Sequence, residues 1–357
     1  MISSLKLQNF RSYKDGQFEF EDGVTIVVGP NGSGKTSLIE ALLYACRGKS
    51  FKAQSDTEII RAGERWARLD CMLNDGSERI TKITLSTNDT EISKAAKQFV
   101  INNDTKSRLQ KEQYLPVVLF EPQDMLTLTS EPSARRDFID VLLSDTLPRY
   151  QQHLKNYKRV LAQRNSLLKR LRKPTKQELF IWDLRLAELG GYIHEARKRV
   201  VERINTTIAS KYADISGKKD SVRVSYLSDE SAPGYTEQML LKLDSNYKKD
   251  LERGFTTVGP HRDDFVVELR DMLARFAASR GENRSIMLAL KLLHVELVEE
   301  IFGKKPLILL DDVFSELDGS RRQRLATSLQ GYQSIITTTD ADLVVEHFSK
   351  RANIIAI

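Results

Sequence analysis

The octapeptide GPNGSGKT, Gly29 to Thr36, constrains this chain more than any other feature, because the pattern GxxxxGK[ST] requires one local fold and suits one kind of ligand. It follows Val24 to Val28 (VTIVV), β-branched and apolar enough for a buried strand, and precedes SLIEALLYA from Ser37, whose apolar residues have helical spacing. Strand, glycine loop and helix in that order cradle phosphates. Gly29, Gly32 and Gly34 allow successive N–H groups to turn inward, and the helix N-terminus adds its positive end. Pro30, Asn31, Ser33 and Ser37 complete the segment expected to line a nucleotide. Lys35 is expected on the outer phosphates of the nucleotide and Thr36 on Mg²⁺. The bland alternative is a chance match in a glycine turn, against which the flanking strand and helix argue.

Two further motifs narrow the chemistry. Pro306 to Asp312 (PLILLDD) is a short apolar strand ending in two carboxylates, with Asp311 expected in the Mg²⁺ shell and Asp312 expected to polarise the attacking water. Alone, it reads equally well as a core strand with a polar turn. Ser279-Arg280-Gly281-Glu282 opens a long apolar-periodic helix through Ile301, and a serine and glycine at a helix start form an anion site. This triplet resembles the ABC-type ATPases, in which an SxGE/Q motif binds the γ-phosphate held by the other subunit's glycine loop. One chain here carries one of each, so the resemblance implies an ATP-dependent head-to-head homodimer with Ser279, Gly281 and Glu282 completing the partner's site. SELD, Ser315 to Asp318, looks like the D-loop of that superfamily, which implies a place for Asp318 near the nucleotide. TTTD, Thr337 to Asp340, stands where many relatives carry a switch histidine, and its lack of one implies weak ATP hydrolysis.

Six more segments resemble the RecF family over essentially the whole chain: LQNFRSYKDGQFEF (Leu7 to Phe20), EPSARRDFID (Glu131 to Asp140), LAQRNSLLK (Leu161 to Lys169), WDLRLAELGGYI (Trp182 to Ile193), TTVGPHRDDF (Thr256 to Phe265) and LLDDVFSELD (Leu309 to Asp318). GPHRDD and the RRxFxD segment are specific to that family. SRGEN stands where many relatives have SQGQ, and Gln123 replaces a usual glutamate. The resemblance implies an SMC-type ATPase head that acts at gapped or junction DNA, or on single strands, and helps RecR and RecO place RecA. It places Arg11 near the nucleotide, where a solvent-exposed turn arginine is the alternative, and Gln123 as a Q-loop residue on Mg²⁺ or the lytic water, or only at a lobe junction. The turn His261 to Asp264 is read as an interlobe or partner contact, and Arg135 and Arg136 as pairing with phosphate or with Asp137 and Asp140.

Charge is distributed unevenly. From Thr146 to Lys176 there are ten Lys or Arg residues and no acid, so a chain of net charge +6 carries −4 elsewhere. Tyr150, Leu154, Tyr157, Leu161, Leu168 and Leu171 recur at three- and four-residue spacing or its multiples, predicting a helix from Pro148 to Arg172, roughly 38 Å long, that turns its basic residues outward. A solvated face usually mixes both signs, whereas a phosphate-binding face is purely basic. Lys155, Lys158, Arg159, Arg164, Lys169 and Arg170 are therefore the expected DNA contacts, without base-reading sequence specificity. A second stripe, Trp182 to Ile208, predicts an antiparallel partner helix after the KPTK turn, with Gly190-Gly191 permitting close packing or a kink.

The expected fold class is α/β, a P-loop ABC-type ATPase head with a mostly α-helical second lobe. Residues 1–122 and 283–357 form the ATPase lobe in this reading, and 123–282 the arm, a shortened version of the SMC coiled coil, with a polar loop region from Asp214 to Gly234 and a strand at VRVSY. Two cysteines, Cys46 and Cys71, read as core thiols of a reducing compartment, and no structural zinc is expected from the scattered histidines. No apolar stretch approaches the ~20 residues of a membrane span, so a cytoplasmic, nucleoid-associated protein is expected. The rival readings are a transporter's ATPase subunit, another SMC-like ATPase, or a P-loop kinase. The kinase would not need the SRGE anion site, and the basic arm opposes the transporter.

Overall fold

The computed structural model describes residues 1–86, 94–170, 172–228, 234–340, 342–348 and 352–357. They form two compact units, residues 1–124 with 294–357 and residues 125–293; the later boundary falls within one helix, beyond Asn283.

The first unit contains two sheets. One is entirely parallel, with the order β14 (Asn353–Ala356), β3 (Val24–Val28), β13 (Ser334–Thr338), β12 (Leu307–Asp311) and β8 (Val117–Phe120). Every residue of β12 and β13 is buried, so burial runs the length of each strand and does not alternate between faces. The other sheet is antiparallel, in the order β2 (Tyr13–Glu19), β1 (Ile2–Phe10), β4 (Trp66–Leu73), β5 (Glu78–Ser86), β6 (Lys94–Ile101) and β7 (Asp104–Lys106). One apolar core joins them: Leu5 and Leu7 of β1, Leu38, Ile39 and Leu42 of α1 (Lys35–Arg47), Leu309 of β12 and Ile335 of β13 are all fully buried. Cys46 and Cys71 lie in this core, and burial pushes the Cys46 thiol up to about 11. Two helices, α10 (Gly319–Ser328) and α11 (Asp342–Val345), complete the unit.

The second unit is mostly helical: α2 (Pro132–Thr146), α3 (Tyr150–Leu168), α4 (Lys176–Asn205), α5 (Ile208–Ser216), α6 (Tyr235–Ser245), α7 (Tyr247–Arg253) and α8 (Ala274–Ala277), with α9 (Arg280–Phe302) carrying the chain back to the first unit. A small antiparallel sheet has the order β11 (Met272–Leu273), β10 (Asp264–Leu269) and β9 (Val222–Leu227), so the VRVSY segment does form a strand. Helices α3 and α4 run antiparallel, since Arg164 meets Asp183 while His153, eleven residues earlier, stacks on Tyr192. The glycine pair of α4 allows α6 to approach: a Cβ on Gly190 would lie 2.7 Å from Met239 Sδ, and one on Gly191 2.4 Å from Thr236 Oγ1.

Two expectations are corrected. Helix α3 ends at Leu168 and not at Arg172, because Pro174 follows and Thr175 opens α4 with a capping box to Glu178. Tyr150, Tyr157 and Leu168 are buried as expected, whereas Leu171 lies outside the described residues. The second stripe also divides, since α4 stops at Asn205 and Ile208 opens α5.

Candidate nucleotide site

All the carboxyl ends of the parallel strands face one edge of the sheet, and the glycine loop, the Asp311-Asp312 pair and TTTD fall there. Crevices at that edge are where open α/β sheets bind ligands. Strand β3 runs into the glycine loop. A side chain at Gly29 would place Cβ 2.4 Å from the Ile357 carbonyl oxygen, and Gly34 has φ of 112° with the Ser12 and Tyr13 hydroxyls each 2.9 Å from where its Cβ would stand. A side chain at Gly29 would clash with backbone, and one at Gly34 would be strained by its left-handed φ. Gly34 caps α1, which has no acid in its first turn to offset its positive end. Lys35 is buried and its Nζ donates to the carbonyls of Gly29 (2.6 Å) and Pro30 (2.8 Å). Ser33 Oγ is buried with no partner among the described residues.

Strand β12, one strand away across β13, delivers the carboxylates. Thr36 Oγ1 donates to Asp311 Oδ1 at 3.0 Å, so the glycine loop and the end of β12 meet. Thr337, at the end of the intervening β13, also donates to Asp311 Oδ1, at 2.9 Å, and its hydroxyl accepts the Asp312 N–H at 3.0 Å. The sequence places TTTD here but does not reveal that Thr337 holds the Asp311 carboxylate and the Asp312 backbone N–H; the signal was its place at the end of the strand following the DD pair. Asp312 has φ of 53°, a left-handed conformation unusual for a residue other than glycine, and its Oδ1 is buried without a partner among the described residues. Burial first, then the nearby Asp311, pushes its carboxyl above the ordinary value.

The remaining expected residues have defined partners. Arg11 forms a two-pronged ion pair with buried Glu40 of α1, both bonds 2.8 Å, and donates to the Glu58 carbonyl. Glu40 was not foreseen; it lies one helical turn after Thr36, on the face of α1 away from the apolar stripe. Gln123 is exposed and donates to Glu121 at 2.9 Å. Ser37 Oγ lies 3.4 Å from Ser12 Oγ, Asn31 is exposed, and Asp318 caps α10 by accepting from the Arg321 N–H. In the second unit, Ser279 and Glu282 form a capping box at the start of α9: Ser279 N–H and Oγ–H donate to Glu282 Oε2 (both 2.9 Å), and the Glu282 N–H donates to Ser279 Oγ. Those bonds, with Lys218 and Arg270, pull the Glu282 carboxyl down to about 2. The Gly281 carbonyl accepts from Ser285.

Of the expected DNA contacts, Lys155, Lys158, Arg159, Lys169 and Arg170 are exposed. Arg164 is not: it is fully buried, bonded to Asp183, to Asp250 (2.6 Å) and to Thr256 (2.9 Å), so its charge is used inside the unit and it cannot meet a phosphate on this face. The arginine pair is also corrected. Arg135 pairs with Asp264 and Arg136 donates to the Asp263 carbonyl, while Asp140 is taken by Arg197 and Asp137 lies 4.0 Å from Lys158. The family-specific segments RRxFxD and GPHRDD thus bind each other within the second unit.

Comparison with known proteins places this geometry. The RecF/RecN/SMC N terminal domain family matches residues 1–355, and the chain belongs to it. The same fold appears in an Smc head bound to the C-winged helix domain of ScpA, at 17% identity and a TM-score of 0.53, over 96% of this chain and 91% of that one. The fold is therefore that of the ABC-type ATPase heads. Within it the chain is a member of the RecF family. It is 30% identical to the DNA replication and repair protein RecF of Clostridium acetobutylicum over 100% of this chain and 97% of that protein, and 34% identical to that of Streptococcus gordonii over 95% and 93%. A solved structure of the recombination mediator protein RecF with ATP in the RecFOR pathway matches with a TM-score of 0.81 at 29% identity, over 95% of this chain and 92% of that one.

Proposed function

We propose that this protein binds ATP and Mg²⁺ at the glycine-loop site, hydrolyses ATP slowly, and as an ATP-driven dimer binds gapped, junction or single-stranded DNA, assisting RecA loading together with RecO and RecR in the cytoplasm at the nucleoid. The observation that carries the reading is Asp312: a half-buried carboxylate with an orphaned oxygen, held in left-handed backbone beside the Asp311–Thr36 contact. A folded chain retains such strain and an unmet bond where chemistry uses them. The names of the relatives support the repair assignment.

In this reading Lys35 exchanges its two loop carbonyls for phosphate oxygens, and the loop N–H groups with the start of α1 hold the rest of the phosphate chain. The Thr36 hydroxyl and Asp311 carboxylate, two oxygen donors side by side, fit a hard divalent cation, and Mg²⁺ when bound would offset phosphate charge. Asp312 orients the attacking water and takes its proton; a carboxyl raised by burial is the better base near neutral pH. Ser279, Gly281 and Glu282 of a second copy complete the γ-phosphate site, with the capping box keeping that helix start formed. Asp318 crosses the dimer seam, Gln123 would, on leaving Glu121, help hold Mg²⁺ or the water, and Arg11 approaches the nucleotide by leaving Glu40. Residues 1–122 with 283–357 act as the ATPase lobe and 123–282 as the arm whose exposed cations meet DNA.

Hydrolysis tests this. Asp312→Asn is expected to retain ATP binding and lose on the order of 10²-fold in rate, Asp311→Ala to weaken Mg²⁺ dependence as well, and Lys35→Ala to lose ATP binding. Because the base must be ionised, the wild-type rate falls as pH drops through the raised Asp312 value, so its acid limb lies above the 3.8 of an ordinary aspartate. Wild-type turnover by Asp312→Asn contradicts the assignment.

A further inference from the structure

A cavity of about 220 Å³ lies within the second unit, among α2, α3, α4 and the turn after Gly259. It is smaller than the roughly 300–1,000 Å³ that drug-sized ligands occupy, and so suits a single ring system. Leu154, Tyr157, Ile193 and Pro260 give it apolar walls, while Arg136 and Lys158 bring positive charge to it and exposed Asp137 one negative charge. The buried polar groups of the walls are already satisfied. Arg197 holds Asp140 through two bonds of 3.0 Å and donates to the Pro260 carbonyl, and the Tyr157 hydroxyl is bonded to His261 Nδ1 at 2.7 Å, with His261 Nε2 on the Thr256 carbonyl. These contacts preform the cavity, since two rings and a guanidinium are fixed before any ligand enters.

Arg136 differs from its neighbours. Arg135, Arg164 and Arg197 each have a carboxylate, whereas Arg136 is half-buried with one bond to a backbone carbonyl and no carboxylate within ion-pair distance among the described residues. The Arg136 guanidinium is held below its ordinary value by burial and then by repulsion from Arg197, with Asp264, Asp137 and Asp263 acting in the opposite direction. Lys158 is exposed, and its nearest acid, Asp137, is 4.0 Å away and exposed too. Lys155 and Arg159, also exposed, continue the positive surface along α3.

We propose that this cavity receives one unpaired base of a DNA single strand, with the flanking phosphate on Arg136 and Lys158. An apolar slot beside a cation with no carboxylate partner is what an unstacked base and its phosphate require, and a paired base, stacked on both faces, cannot enter it. The proposal rests on the reading of α3 as a DNA-contacting helix and adds to it a preference for strands with exposed bases.

The test uses the full chain with ATP, and fluorescence anisotropy with a dT oligomer and an abasic oligomer of equal length and charge. Wild type is expected to favour dT by at least about fivefold, the smaller end of what one stacked base contributes. Leu154→Trp, which fills the slot and keeps every cation, should bring the two affinities to within about twofold while leaving duplex affinity unchanged. A 2-aminopurine placed in the strand should change its emission on binding wild type and not on binding the filled variant. Equal wild-type affinity for dT and abasic strands overturns the proposal without any variant, as does a folded Leu154→Trp protein that keeps the preference. A wild type that binds neither strand nor duplex instead removes the DNA reading on which the proposal rests.

Discussion

Replacing Arg164 with methionine should cost the protein far more in stability than in DNA affinity. The Arg164 guanidinium is fully buried, with bonds to Asp183 and to Asp250, itself fully buried, and to Thr256. Methionine fills most of the volume but leaves two carboxylates without their cation. Breaking a buried pair from one side costs about 3–5 kcal/mol. For a unit of this size 1 kcal/mol moves the midpoint by roughly 2–4 °C, so thermal unfolding should begin roughly 6–20 °C lower. Burial already pushes the Asp183 carboxyl upward even with Arg164 beside it. A raised folded value favours the protonated form, so the deficit of Arg164→Met should shrink as pH falls and grow as pH rises through that value. Adding Asp183→Asn and Asp250→Asn should recover part of the loss, since uncharged amides no longer require a counter-ion. Circular dichroism melts of the full chain across pH measure all three. An Arg164→Met protein as stable as wild type, with weakened DNA binding, would refute the reasoning and return Arg164 to the DNA face.

Two further outcomes are expected. Sedimentation with ATP and Mg²⁺ should show a dimer that ADP does not support and that Ser279→Arg and Lys35→Ala abolish, with Ser279→Arg still binding nucleotide as a monomer; a wild type that stays monomeric at micromolar concentration removes the shared-site geometry. Charge reversal of Lys155, Lys158, Arg159 and Lys169 should lower the slope of log K against log salt by about 2–3 units if three phosphate contacts are lost, similarly for all base sequences. A dimer-competent mutant with unchanged slope would make this a solvated face.

Local signals in the sequence located the glycine loop, strands β3, β12 and β13 and helix α9, because each is an apolar run of one period bounded by its own motif. Asp311 was legible for the same reason: its strand ends there, and the parallel register of β12, β13 and β3 brings it to Thr36. What was not legible depended on partners far along the chain. Arg164 looked like one of ten like charges, yet it falls seven residues after Tyr157 and four before Leu168, on the buried stripe of α3, and its acids come from α4 and α7. That spacing carried the signal, and the absence of acids nearby in sequence masked it. Glu40 was likewise hidden as one polar residue in an apolar helix, since only the turn between β1 and β2 brings Arg11 to it. The pairing of Arg135 with Asp264 joins residues 129 positions apart, a separation at which sequence alone does not choose among several nearby acids.

The most direct measurement is DNA affinity as a function of nucleotide state, by anisotropy of a labelled gapped duplex at two salt concentrations. The account predicts tight, salt-sensitive binding by wild type with ATP and Mg²⁺, weak binding with ADP, and weak binding by Lys35→Ala in every nucleotide state. DNA affinity that is the same with ATP, with ADP and in Lys35→Ala would contradict it, for the glycine-loop site would then have no part in holding DNA.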